Sequence, residues 1–135
     1  MRAAILFSML FMCALPVVAQ EQAEESAPAP TVAEPIAPYD DQLLRLSEVL
    51  GSIHYLRALC GANEGNQWRD AMGSLIATEE PGPNRRARLV SSFNRGYRAF
   101  STTYTSCTPA ALLAVDRYMK EGVSLTSQIT GRYGR

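Results

Sequence analysis

The sequence predicts an all-α fold: a small four-helix up-down bundle with one disulfide. Three observations carry that expectation. Apolar residues recur at helical spacing in four stretches after residue 40. No stretch sustains period-two alternation with β-branched residues, so strands are not expected. Short runs bearing Gly, Pro or Asn separate the four stretches, and such runs break a helix.

The first helix is expected to begin with Asp40 or Asp41 as N-cap and to run to about Cys60. Gly61 then supplies the left-handed C-terminal turn. At 100° per residue, Leu43, Leu46, Val49, Leu50, Ile53, Leu56 and Cys60 share one broad arc. The second helix runs from about Asn66 to Thr78 and aligns Trp68, Met72, Leu75 and Ile76. Pro81-Gly82-Pro83-Asn84 must end it. The third begins near Asn84 with Leu89, Val90, Phe93, Tyr97, Phe100 and Tyr104 on one side, and Arg85, Arg88, Arg95 and Arg98 on the other. The fourth has the clearest start, with Thr108 as N-cap and Pro109 at the first helical position. Its expected buried stripe is Ala111, Leu112, Val115, Met119, Val123, Thr126 and Ile129. Arg117, Lys120, Glu121, Ser124 and Gln128 should face away.

Residues 1–19 read as a secretory signal peptide. Arg2 precedes an apolar run, and Val17-Val18-Ala19 offers small residues for cleavage after Ala19. The run is shorter than the ~20 residues of a bilayer span, so no stable membrane span should remain after cleavage. Phe11-Met12 before Cys13 does not suit a lipid anchor. These features predict a periplasmic protein.

Residues 20–41 form an Ala/Pro-rich stretch with six acidic and no basic side chains, which predicts a disordered linker. Residues 42–135, the expected helical domain, then carry 12 basic and 7 acidic side chains, and all of those bases except Lys120 are arginine. The whole chain is neutral, with 13 basic and 13 acidic residues. That balance argues against a general nucleic-acid binder.

Cleavage would leave two cysteines, Cys60 and Cys107, an even number in an exported protein. They end the first and third helices, and in an up-down bundle those ends share a pole. A structural disulfide is therefore expected.

Catalytic signals are sparse. A single histidine and two distant cysteines, with no C-x-x-C or H-E-x-x-H spacing, predict neither metal nor cofactor. His54 sits at the border of the apolar arc, with Ser47 on a similar bearing. No G-x-S-x-G elbow accompanies them, and a histidine touching the core is the plainer reading. Glu64 lies in a glycine-flanked turn one helical turn before Trp68. A carboxylic acid against an indole can have a raised pKa and serve as the acid of a glycan hydrolase. Capping and core packing explain the same residues, however. The best binding feature is the arginine stripe of Arg85, Arg88, Arg95 and Arg98, whose guanidinium groups suit carboxylates and phosphates.

The segments YLRALCG (residues 55–61), EGNQWRDAM (64–72), RRARLVSSFNRGYRAFSTTY (85–104) and CTPAA (107–111) resemble a family of small exported alphaproteobacterial proteins of unknown function. The resemblance spans residues 43–133. It implies export and paired cysteines, and brings no activity, cofactor or catalytic residue. The functional expectation is a non-catalytic module binding an anionic envelope component or an acidic protein surface. A Glu64-dependent cell-wall glycan hydrolase and a purely structural subunit of an envelope complex are the alternatives. Oligomeric state is not legible.

Overall fold

In a computed structural model, residues 34–134 are described; the expected signal peptide and residues 20–33 of the expected linker lie outside them. Four helices follow in order: α1 (Asp40–Leu59), α2 (Gln67–Glu79), α3 (Pro83–Ser101) and α4 (Pro109–Tyr133). No strand occurs among the described residues.

Local signals account for most boundaries. Gly61 takes φ +80° after α1, as a left-handed C-terminal turn requires. Pro83 opens α3, and Thr108 caps α4 by accepting a hydrogen bond from the Ala111 amide at 3.1 Å. The start of α1 differs from expectation. Its N-cap is Tyr39, which makes no side-chain capping bond, and Asp40 is the buried first residue of the helix. Asn66 likewise precedes α2 without a side-chain capping bond.

The helices alternate in direction. Asp40 pairs with Arg85, Glu48 with Arg95 and Cys60 with Cys107, so α1 and α3 run parallel. Arg45 meets Glu121 and Gln42 meets Gln128, so α4 runs antiparallel to α1. Tyr39 bonds Glu79 while Arg57 bonds Glu64, which sets α2 antiparallel as well.

The arrangement is nevertheless not a square bundle. In a square bundle α1 and α3 would be diagonal; here they are the most intimate pair, and α1 is a hub touching all three other helices. The cause is a reciprocal glycine contact. A Cβ on Gly51 would overlap the Phe93 carbonyl, and a Cβ on Gly96 would overlap the Glu48 carbonyl. Ser52 and Ser92 are buried beside them. Small residues thus let two backbones approach where larger ones would hold them apart.

Being a hub, α1 buries several sides. Val49, Leu50, Ile53 and Leu56 are buried, and so are Ser47, Gly51 and Ser52. One core cluster joins Leu43, Leu50, Met72, Ile76, Leu89 and Phe93, and a second joins Leu56, Ala111, Ala114 and Val115. The expected apolar stripes are therefore only partly used. Leu112 is 53% and Val123 69% exposed, Thr126 is exposed, and Val90 and Tyr97 lie at the surface of α3. Leu46 and Cys60 are half-buried. The reason is geometric: the backbone of α4 comes close to α1 alone and α3 reaches it only through side chains at its end, so one flank of its stripe has no neighbour. Between α2 and α4 this leaves an open groove of about 490 Å³ over Leu46, Val49, Leu50 and Ile53.

Glu121 was expected to face solvent. Instead it takes a two-pronged bond from Arg45, at 2.6 and 2.9 Å, and is partly buried. The boundary at residue 41 also moves. Glu34 accepts bonds from the Asn84 and Arg85 amides at the start of α3, at 3.0 and 2.8 Å. Tyr39 lies against Tyr133, and Asp40 is buried. Residues 34–41 thus belong to the helical unit and bring acid to it: residues 34–135 hold 12 basic and 10 acidic side chains, against 12 and 7 for residues 42–135. The expected excess of basic over acidic residues is therefore reduced but not removed.

The glycine contact makes opposite predictions for two kinds of glycine. Gly51→Ala and Gly96→Ala should each lower stability by about 3 kcal/mol in urea unfolding, because backbone must move. Gly73 is exposed within α2 and has open space where a Cβ would sit, so Gly73→Ala should instead add about 1 kcal/mol of stability. Equal effects at all three would remove the close approach as their cause.

Cys60 and Cys107 are bridged, closing a separation of 47 residues. Replacing both with serine should cost about 4 kcal/mol by the loop-entropy relation, read as a shift in urea midpoint.

Candidate functional site

The arginine stripe divides in two. Arg85 is an internal staple: its Nε donates to Asp40 Oδ1 and its Nη2 to Glu79 Oε2, both at 2.7 Å. Its guanidinium lies 6.0 Å from the Tyr39 ring centre, and the side chain is only 13% exposed. Burial alone would lower its pKa, but the bonds to Asp40 and Glu79 outweigh that and raise it. Arg85 therefore joins the starts of α1 and α3 to the end of α2 and is withdrawn from any binding surface.

Arg88, Arg95 and Arg98 remain outward. Arg88 and Arg95 border a depression of about 380 Å³ with Ser91 and Leu44. Arg95 and Arg98 border a second, of about 420 Å³, with Ser91 and Thr102. The two adjoin through Ser91 and Arg95. Arg95 reaches Glu48 at 2.9 Å yet is 59% exposed. Among the described residues, Arg88 and Arg98 have no acidic partner within ion-pair distance. From Arg88 to Arg98 the helix rises ~15 Å, so the face is a short cationic strip with hydroxyl groups between its charges.

Glu64 has partners that oppose an acid role. Arg57 grips both carboxylate oxygens, and Trp68 Nε1 donates to Oε2 at 2.6 Å. The bond from Arg57, then that from Trp68, hold this carboxyl below its usual range. A general acid needs the reverse, since it must keep its proton near neutral pH. The glycine-flanked turn is thus tied to the end of α1 by an ion pair.

Ser47 and His54 do not meet as a catalytic pair. Ser47 Oγ is buried and donates to the Leu43 carbonyl at 2.8 Å. His54 lies against Phe93 and Tyr97, with ring centres 6.0 and 5.9 Å away. No group of three or more metal-ligating side chains occurs among the described residues, and no described helix is long and apolar enough to cross a membrane.

A polar chain escaped the sequence reading. Arg95 meets Glu48, Glu48 meets Arg45 at 3.4 Å, and Arg45 meets Glu121, linking α3 to α1 to α4. Arg45 also lies 5.5 Å from the Tyr118 ring centre. Its pKa is raised, first by the hydrogen bond to Glu121. Each residue reads alone as a solvated charge, and only the helix pairing reveals the chain.

His54 sets a pH dependence. Burial, then the nearby charge of Arg69, lower its pKa from the ordinary 6.5. The unfolded chain then binds more protons in the window below 6.5, so stability falls as pH drops through it. Glu64 and Glu121 are also lowered, from 4.5, and their stabilising effect is lost only at more acid pH. Urea unfolding should show a loss of stability on moving down from pH 6.5 that His54→Gln removes; an unchanged slope would assign it elsewhere.

No curated protein and no solved structure matches the chain. A family model covering residues 38–133 does match, and it takes in all four helices. The chain belongs to a family described as protein of unknown function, DUF2385.

Proposed function

We propose that this protein is an exported, non-catalytic binding module that docks an anionic envelope component or an acidic protein surface on the α3 face of Arg88, Arg95 and Arg98. One observation carries the reading: three guanidinium groups share one face around two adjoining depressions, and Arg88 and Arg98 have no ion partner among the described residues. Guanidinium forks match carboxylate and phosphate oxygens in pairs. Each exposed contact contributes only about 0.2–1 kcal/mol, so the three must act together and binding must weaken with salt. Arg85 is excluded because Asp40 and Glu79 already occupy its donors. Export follows from the leader ending at Ala19, which would deliver the domain to the periplasm.

The test is co-sedimentation of the periplasmically matured protein with purified sacculi and with phosphatidylglycerol vesicles, at low and high salt. Pelleting with one of the two should be lost at high salt and abolished by Arg88→Glu/Arg95→Glu/Arg98→Glu with helical circular dichroism intact. If the charge reversal leaves pelleting unchanged, the face is only a solvated helix surface. If neither support pellets the protein, cross-linking to periplasmic proteins that also ignores the reversal would overturn the reading.

A further inference from the structure

We infer that the cleft between the end of α3 and the first half of α4 binds a monoanionic, single-chain amphiphile. Its hydrocarbon lies on Phe100, Tyr104 and Leu113, and its head lies at Arg117 and Lys120. None of Arg88, Arg95 and Arg98 lines this cleft.

The cleft measures about 480 Å³, within the ~300–1,000 Å³ of small-molecule sites. Its apolar side is built and then left open. Leu113 is 72% exposed, although α4 has an adjacent buried face in Ala111, Ala114 and Val115. Leu113, Arg117 and Lys120 follow at spacings of four and three, so they share one side of the helix. The two cations lie ~6 and ~10 Å along the axis from the leucine, which separates a place for hydrocarbon from a place for charge.

The walls are held before any ligand arrives. Phe100 meets Tyr118 edge-on at 5.3 Å and stacks near Tyr104 at 6.0 Å. Tyr55 donates its hydroxyl to the Tyr104 carbonyl, and the Cys60–Cys107 bridge anchors the connection just beyond. A rigid wall reduces the ordering cost of binding. Charge selects the head. Asp116 lines the same cleft as Arg117 and Lys120, so the rim carries one positive charge in excess, which matches a single negative charge. By contrast, the groove between α2 and α4 has no charged lining residue to select a head group.

The probe is dodecanoate below its micelle concentration, added to the matured protein and followed by backbone NMR shifts. Saturable shifts should centre on Tyr104, Leu113 and Arg117. Dodecanol should bind about five-fold more weakly, as should dodecanoate to Arg117→Gln/Lys120→Gln, for the loss of exposed charge contacts. Leu113→Asp, an exposed position that should leave folding intact, should weaken binding about ten-fold. The triple arginine reversal on α3 should bind dodecanoate like the unaltered protein, so failure of either reading can be told from failure of the other. Shifts centred instead on Val49 and Val123, equal affinity for dodecanol, or association with phosphatidylglycerol vesicles but not with monomeric dodecanoate would overturn the inference.

Discussion

Everything else in this fold is arranged around the contact of Gly51 with Phe93 and of Gly96 with Glu48. Glycine within a helix costs about 1 kcal/mol relative to alanine, so two such positions need a compensating gain. Here the gain is backbone proximity. With α3 drawn onto α1, the apolar residues of α2 and α4 can also reach α1, and one helix serves as core for three. A domain of this size has little apolar surface to bury. Sharing a single hub makes the most of it, and the disulfide at one pole restrains the same pair of helices.

Charge at the other pole serves the same pairing. Asp40, Glu79 and Arg85 come from three helices and meet largely away from water. Glu34 adds its carboxylate to the exposed amides that begin α3. The chain from Arg95 through Glu48 and Arg45 to Glu121 closes the side of the hub between α3 and α4. No buried side-chain polar atom among the described residues lacks a partner. Surface ion pairs add little individually, but these ones decide which cations remain available to a ligand. Arg85 and Arg45 are held in ion pairs; among the described residues, Arg88, Arg98, Arg117 and Lys120 are in none.

Much of the fold was legible because its signals are local. Thr108-Pro109, Gly61 and the break around Pro81-Gly82-Pro83 act within a few residues, whatever lies across the molecule. The cysteine pairing was legible because helix direction alone brings Cys60 and Cys107 to one pole. Apolar periodicity located the helices but overstated their burial. Leu112 and Val123 fit the stripe of α4, yet the stripe is wider than the one helix it meets. Conversely, Ser47, Gly51, Ser52 and Ser92 are buried although no apolar stripe includes them, since a hydrophobic pattern weighs size and hydrophobicity rather than closeness.

Four helices, their order, most of their ends and the shared pole of two cysteines are written in the chain, because each depends on near neighbours or on simple alternation of direction. Packing alone made α1 the hub, drew residues 34–41 into the helical unit and made the arginines of α3 unlike one another. On a helical wheel Arg85 and Arg88 are near neighbours. Asp40, 45 residues away, and Glu79, at the end of the preceding helix, engage the first and leave the second exposed. A charge is engaged or available according to what other helices bring within hydrogen-bonding distance, and helical periodicity carries no record of that.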